Sequence, residues 1–267
     1  RRVRGGGVPT RAAALSDRGA LAGIEVSDMV GRALAFVACK GPSTDQDRWE
    51  ENAGINTFTL AIAIAALVSG SAFLESEAKQ WALDLADFWN ENVERWTAVY
   101  GTGLAREVDV PGYFIRTAPA SVLQNGERAL DELVPIRNRA DGLKLAAKDQ
   151  VSTDFLQLVR FGLRQADDPL IRDSVKVVDH LLKVDTPSGA VWRRYNHDGY
   201  GEHGDGRPYD GAGQGRPWPL LAGERGHYEL AAGRDPSSFL LTMAATASPG
   251  GMIPEQVWDE ASILARR

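Results

Sequence analysis

Helices of two kinds alternate along this chain, and that alternation limits its fold more than any other feature of the sequence. Residues Thr57 to Glu77 are apolar nearly all round (Phe58, Leu60, Ile62, Ile64, Leu67, Val68, Phe73, Leu74), which predicts a helix buried on every side. Ala78 to Trp96 instead carries Ala78, Trp81, Ala82, Leu85, Trp89, Val93 and Trp96 at i, i+3, i+4, i+7 spacing with charges opposite, hence a helix covered on one face. The pair recurs as Ser152 to Arg164 followed by Pro169 to Val184, and again as Pro217 to Ala232 followed by Pro236 to Ala247. A one-faced helix at about Val26 to Val37 precedes them. Asp168-Pro169 and Asp235-Pro236 each place an N-cap residue before a proline suited to the first helical turn. Only Thr97 to Thr117, with Tyr113, Phe114 and Ile115 beside Gly101, Gly103 and Gly112, reads as a strand hairpin. An all-α fold follows, with buried helices forming an inner ring inside an outer one.

The links between these helices are unequal. Inner-to-outer connections are short, whereas Ala38–Asn56, Thr97–Val151, Asp185–Arg216 and the stretch from Ser248 onward are long. In an up-and-down ring the long links gather at one end, where functional groups on a rigid scaffold are usually found.

Those links hold the chemistry. Asp47-Arg48-Trp49-Glu50-Glu51-Asn52 closes the first. The third contains Trp192-Arg193-Arg194-Tyr195-Asn196, Asp198 to Glu202, and Gly215-Arg216-Pro217-Trp218. The last contains Ile253-Pro254-Glu255-Gln256-Val257-Trp258-Asp259. Indole faces stack on sugar rings, and guanidinium and carboxylate groups grip hydroxyls with paired hydrogen bonds. Two carboxylates suffice to hydrolyse a glycosidic bond, one protonating the leaving oxygen and the other activating water or attacking carbon; their separation selects inversion or retention.

The residues alone also permit plainer readings. Trp49-Glu50-Glu51 fits a capped helix start or a solvated loop, and Glu255 after Pro254 fits a first helical turn. Arg194 and Arg216 are by default surface charges or partners of Glu202 and Asp205. Trp81, Trp89 and Trp96 lie on the helical stripe and read as core. Glu224 and His227 read as a buried structural network.

Other classes are disfavoured. The net charge of −6 argues against nucleic acid or anionic lipid as partner, and the one basic cluster, Arg1 to Arg11, is glycine-rich and reads as a frayed tail. Cys39 is the only cysteine, so neither a disulfide nor a thiolate metal site arises within the chain, and the four histidines have no metal-ligand spacing. Phe58 to Val68 is too short to span a bilayer. The N terminus carries no signal-like segment, so export is not legible.

Three ordered motifs narrow the reading: Asp-Arg-Trp-Glu-Glu-Asn-Ala-Gly at 47–54, Gly-Arg-Pro-Trp-Pro-Leu-Leu-Ala-Gly-Glu-Arg-Gly-His-Tyr-Glu-Leu-Ala-Ala-Gly at 215–233, and Ile-Pro-Glu-Gln-Val-Trp-Asp at 253–259. Together they resemble the bacterial branch of glycoside hydrolase family 15, the glucoamylases and glucodextranases, over roughly residues 27–259. The resemblance implies an (α/α)6 barrel that releases β-glucose from the non-reducing ends of α-1,4- or α-1,6-linked glucans with inversion, using no metal or organic cofactor. It further implies Glu50 as general acid, Glu255 as general base, Trp49, Glu51 and Arg194 as substrate contacts, Trp218 as a platform, and Asp47 at a substrate-site position that supports the acid. About seven of the family's twelve helices are legible, and a Trp-Pro-Arg-Asp-like segment and an N-terminal β-sandwich are not. The expectation is therefore an irregular segment at 1–25 and a partial catalytic domain at 26–267, which self-associates if its ring stands open. An impaired helical module that binds glucan or a partner chain is the alternative.

Overall fold

A computed structural model describes residues 25–261; the N-terminal basic run and nearly all of the expected irregular segment lie outside them. Seven helices stand at the expected places: α1 (Val26–Lys40), α2 (Thr57–Gly70), α3 (Ser76–Thr97), α6 (Leu156–Arg160), α7 (Pro169–Leu182), α8 (Pro219–Ala231) and α9 (Ser237–Ala245). The long second link adds α4 (Gly103–Glu107) and α5 (Val122–Asn125). Local chemistry explains the boundaries. Asn56 accepts the Thr59 N–H to open α2, and Asp168 accepts from Leu170 and Ile171 with Pro169 in the first turn of α7, both standard side-chain caps. Before α9 it is Pro236, not Asp235, that occupies the cap position, while Asp235 accepts from Ser237.

Helix α6 is much shorter than the expected Ser152–Arg164. Ser152 pairs with Tyr195 in an isolated bridge, which withholds it from the helix. At the other end Gly162 turns left-handed at φ 73°, and the N–H groups of Leu163 and Arg164 both return to the Leu158 carbonyl, a helix-terminating turn that glycine permits. Three hairpins form rather than one. The expected pair is β1 (Ala98–Tyr100) with β2 (Gly112–Phe114). The others are β3 (Leu133–Pro135) with β4 (Lys144–Ala146), and β5 (Lys183–Thr186) with β6 (Gly189–Trp192). The last begins where α7 was expected to continue to Val184.

The inner helices α2, α6 and α8 pack on one another in succession, α3 lies over α2, and α9 lies over α8. Helix α7 seats mainly on β2, where Ser174 Oγ accepts the Phe114 N–H at 2.9 Å while donating to the Leu170 carbonyl. This is an arc of a two-layered ring. The hydrophobic core fills the space between layers, with Ile64, Leu67, Trp89, Phe114, Phe155, Val177 and Leu221 among its members.

Two expectations about burial fail in detail. Trp89 and Trp96 are core, but Trp81 is 57% exposed, because the covered line of α3 runs through Ala82, Ala86, Trp89 and Val93 and Trp81 lies about 100° to one side of it. Helix α2 is apolar all round, yet Ile62 is exposed, as are Phe36 on α1 and Leu240 and Leu241 on α9. An arc has two flanks, and these side chains lie on helices at its two ends, where no further helix of the described residues covers them.

The long links are stitched together. Isolated bridges join Ile55 to Ala118, Ser152 to Tyr195 and Trp192 to Trp218, and Asn196 bonds both the Val151 N–H and the Asp149 carbonyl. The first, second and third links thus form one layered surface over the ring.

Candidate active site

At the centre of that surface Asp47 begins a tight turn. Its carbonyl accepts the Glu50 N–H at 3.0 Å, and its Oδ1 accepts the N–H groups of Trp49 and Glu51 at 3.0 and 3.2 Å. An aspartate so placed mimics a backbone turn. The turn drives Glu50 into left-handed backbone at φ 60°, a conformation that costs a residue with a Cβ about 1–2 kcal/mol. The side chain of Glu50 is thereby exposed, while its neighbour Glu51 points inward.

Glu51 is surrounded by donors. Oε1 accepts from Asn138 Nδ2 at 2.8 Å and Arg194 Nη2 at 2.9 Å. Oε2 accepts from Arg116 Nη2 at 2.7 Å and from the Tyr195 hydroxyl. Arg194 in turn makes a two-point pair with Asp198, Nε to Oδ2 and Nη2 to Oδ1, both at 2.7 Å. Such forked pairing fixes the guanidinium plane as well as its position. Burial works against the charge of Arg194, but Asp198, Tyr195 and Glu51 outweigh it and raise its pKa. Four rings surround this cation: its Cζ lies 4.8 Å from Tyr200, 5.1 Å from Trp49, 5.2 Å from Tyr195 and 5.6 Å from Trp218. Trp49 and Trp218 meet edge to face at 5.0 Å, and Tyr200 lies 6.3 Å from Trp218.

Glu255 is exposed and lies in irregular chain; Pro254-Glu255 opens no helix. Its carboxylate sits beside the Tyr200 hydroxyl, whose pKa is raised by burial first and then by the charge and hydrogen bond of Glu255, with Arg194 opposing. A run of neighbours therefore leads from Glu255 through Tyr200, Trp218 and Trp49 to Glu50.

The two arginines expected at the surface are buried. Arg194 belongs to the network above, and Arg216 bonds Asp259, Glu260 and the Glu202 carbonyl beneath Trp258. Asp205 pairs with Arg207 instead. Asp47 is also sealed from solvent, its Oδ2 held by Arg116 at 2.6 Å, so any part it has in binding passes through the groups it holds. Glu224 does form a buried network, whereas His227 is exposed. Arg48 spans Glu224, at 2.9 and 3.1 Å, and Asp154, at 3.3 Å, and its guanidinium lies over Trp49 and Phe58. One cation serves two carboxylates here. Burial pushes the Asp154 carboxyl up to about 6; Arg48 opposes this, and Asp47 and Glu224 add to it.

Sequence reasoning did not single out Arg116, Asn138, Asp154, Asp198 or Tyr195 as site residues. Arg116 left one signal, a charge just after the apolar run Tyr113-Phe114-Ile115. Asn138 left none. Among the described residues no group of three or more His, Cys, Asp or Glu side chains could hold a metal ion. The central network sets the carboxylates of Asp47, Glu51 and Asp198 against the guanidinium groups of Arg116 and Arg194. It therefore carries an excess negative charge, which suits a polar ligand whose reacting centre becomes positive.

The chain is similar to bacterial glucoamylases. The chain is 38% identical over 244 residues to a glucoamylase of Clostridium sp. (strain G0005), an overlap of 90% of this chain and 33% of that protein. Its structure superposes on a crystal structure of a bacterial glucoamylase complexed with acarbose with a TM-score of 0.80 at 39% identity, covering 88% of this chain and 34% of the other. A more distant glycosidase, at 20% identity and a TM-score of 0.55, shares the fold. The chain thus spans about a third of the length of the glucoamylases it matches, and its arc is part of their (α/α)6 barrel. Residues 14–265 match the model of glycosyl hydrolases family 15, and on that evidence the chain belongs to this family.

Proposed function

We propose that these residues form part of the catalytic centre of a glycoside hydrolase that removes β-glucose from the non-reducing ends of α-glucans. Two of the proteins named above are glucoamylases, one of them complexed with acarbose. The observation that carries the reading is the buried Glu51–Arg194–Asp198 network. It is walled by Trp49, Trp218, Tyr195 and Tyr200, and Glu50 stands directly beside it.

In this reading the Glu50 carboxyl gives its proton to the glycosidic oxygen as that oxygen leaves carbon 1. Glu255 takes a proton from a water molecule on the opposite face, and the hydroxide so formed bonds to carbon 1 with inversion. Arg194 and Glu51 orient the terminal sugar through its hydroxyls, and the indoles of Trp49 and Trp218 offer apolar faces to the ring. The excess negative charge below the site favours the oxocarbenium-like transition state over the neutral ground state. The substrate is an α-1,4- or α-1,6-linked oligosaccharide or polysaccharide, and no cofactor takes part.

The test follows maltose, maltotriose and isomaltose by proton NMR, which reports the anomer of glucose as it is released. Both the 267-residue chain and the product of its whole open reading frame are assayed, each with Glu50→Gln and Glu255→Gln. Release of β-glucose that falls by about 10³-fold or more in both variants is expected. Hydrolysis that survives both substitutions would remove the assignment, and release of the α-anomer would remove the inverting mechanism.

A further inference from the structure

Arg116 stands two residues beyond the end of β2, and it does not reach the proposed sugar site. Its side chain is wholly buried, under Tyr195, whose ring centre lies 3.5 Å from its Cζ. Its backbone is anchored as firmly. The Arg116 N–H donates to the Gln150 carbonyl at 2.8 Å, and two residues on Ala118 exchanges a pair of 2.8 Å hydrogen bonds with Ile55. That second link ties this segment to the chain just beyond the Glu50 turn.

A single nitrogen of Arg116 makes both of its ion pairs. Nη2 lies 2.6 Å from Asp47 Oδ2 and 2.7 Å from Glu51 Oε2, while Nε and Nη1 are buried with no hydrogen-bond partner among the described residues. The other oxygen of Asp47 holds the N–H groups of Trp49 and Glu51. Those two residues flank Glu50, which is the one in left-handed backbone. The path from cation to strained residue is therefore two bonds long. Without Arg116, Asp47 loses the cation that pairs with it and faces Glu51, which keeps Arg194 on its other oxygen; burying an unpaired charge is costly enough to drive rearrangement.

We propose that Arg116 is a positioning residue that clamps Asp47 and Glu51 and so holds the Glu50 turn in its strained, outward-pointing form. The consequence for turnover rests on Glu50 being the general acid; the consequence for the turn does not. Because only one nitrogen does the work, a lysine ammonium reaching the same point replaces most of the function. A neutral methionine of similar volume does not.

Two measurements test this on Arg116→Met and Arg116→Lys. Amide hydrogen exchange reads the turn directly: in Arg116→Met the amides of Trp49 and Glu51 exchange at least about tenfold faster, while those of Ile64 and Val177 in α2 and α7 do not change. Arg116→Lys restores the protection. In the hydrolysis assay kcat falls about 100-fold or more in the methionine variant, with KM moving much less, and the lysine variant recovers to within about tenfold of wild type. Unchanged protection at Trp49 and Glu51 in Arg116→Met overturns the proposal, as does equal loss in both variants. Should Arg116→Met not fold, Asp47→Asn carries the test, since it keeps the amide acceptor and removes the charge that Arg116 grips. Faster exchange at the same two amides supports the clamp, and wild-type protection there overturns it. Loss of the hydrolase reading through Glu50→Gln leaves the exchange result standing, so the two failures are distinguishable.

Discussion

Replacing Asp154 with asparagine should flatten the pH dependence of stability, and the size of the effect follows from the cluster beneath Trp49. Glu224 occupies two nitrogens of Arg48, at 2.9 and 3.1 Å, leaving Asp154 a single longer approach at 3.3 Å. The Asp154 Oδ2 is buried with no hydrogen-bond partner among the described residues. Burial raises the Asp154 carboxyl to about 6, and one guanidinium shared between two buried carboxylates does not offset it. An aspartate in the unfolded chain titrates near 3.9. Between these values the folded state binds more protons than the unfolded state, so stability falls as pH rises. The contribution is fully present below about pH 4 and lost once pH passes about 6. Two pH units at about 1.4 kcal/mol each give nearly 3 kcal/mol, and a coupled buried pair makes about 2–3 kcal/mol the expected span. The exposed carboxylates with depressed values, Asp141, Asp205, Asp210 and Asp235, act with the opposite sign and below this window. Urea unfolding of wild type and Asp154→Asn at several pH values from about 4.5 to 7.5 measures the difference. The gap between the two should change by about 2 kcal/mol across the series, most of the full span, in the direction that favours the variant at high pH. Parallel curves would show that Asp154 ionises normally and that the account of the cluster is wrong.

Arg194→Lys should raise KM for maltose by at least about tenfold, because an ammonium cannot reproduce the forked pair with Asp198 while also reaching Glu51; an unchanged KM in steady-state kinetics would remove Arg194 from the sugar site. Gly54→Ala should destabilise the fold by roughly 2–4 kcal/mol, combining a positive φ with overpacking. Its φ is 145° and an added Cβ would lie 2.3 Å from the Ala118 carbonyl, so a melting temperature within a degree or two of wild type would contradict the geometry of the Ile55–Ala118 link.

Much of the architecture was legible in the residues. Periodicity decides which helix lies inside and which outside, since it records how much of each helix must be hidden from water. The alternation of Thr57–Gly70 with Ser76–Thr97 and its two repeats was therefore readable without coordinates, and so were the Asp168 cap and the β1–β2 hairpin. Short strands were not. Lys144-Leu145-Ala146 and Lys183-Val184-Asp185-Thr186 owe their conformation to partners across a turn, and a pattern three or four residues long does not separate a strand from a loop. Trp81 was misjudged for a related reason: spacing marks the whole width of an apolar stripe, and only packing shows which line within it is covered.

In the site the division is sharper. Motifs resembling those of glycoside hydrolase family 15 single out Glu50, Glu51, Arg194, Trp49, Trp218 and Glu255 as candidates, where the residues alone left plainer readings open. What those groups do to one another depends on distances across the fold. Arg116 meets Asp47 and Glu51 over separations of 69 and 65 residues, and Arg194 meets Glu51 over 143. Nothing near Asp47 in the chain announces the cation that holds it. Ion pairing falls off with distance in space and takes no account of distance along the chain. The candidate groups of the site were thus named from sequence motifs, whereas the burial of Arg116 and Arg194, the raised pKa of Asp154 and the strain at Glu50 were decided by tertiary structure alone.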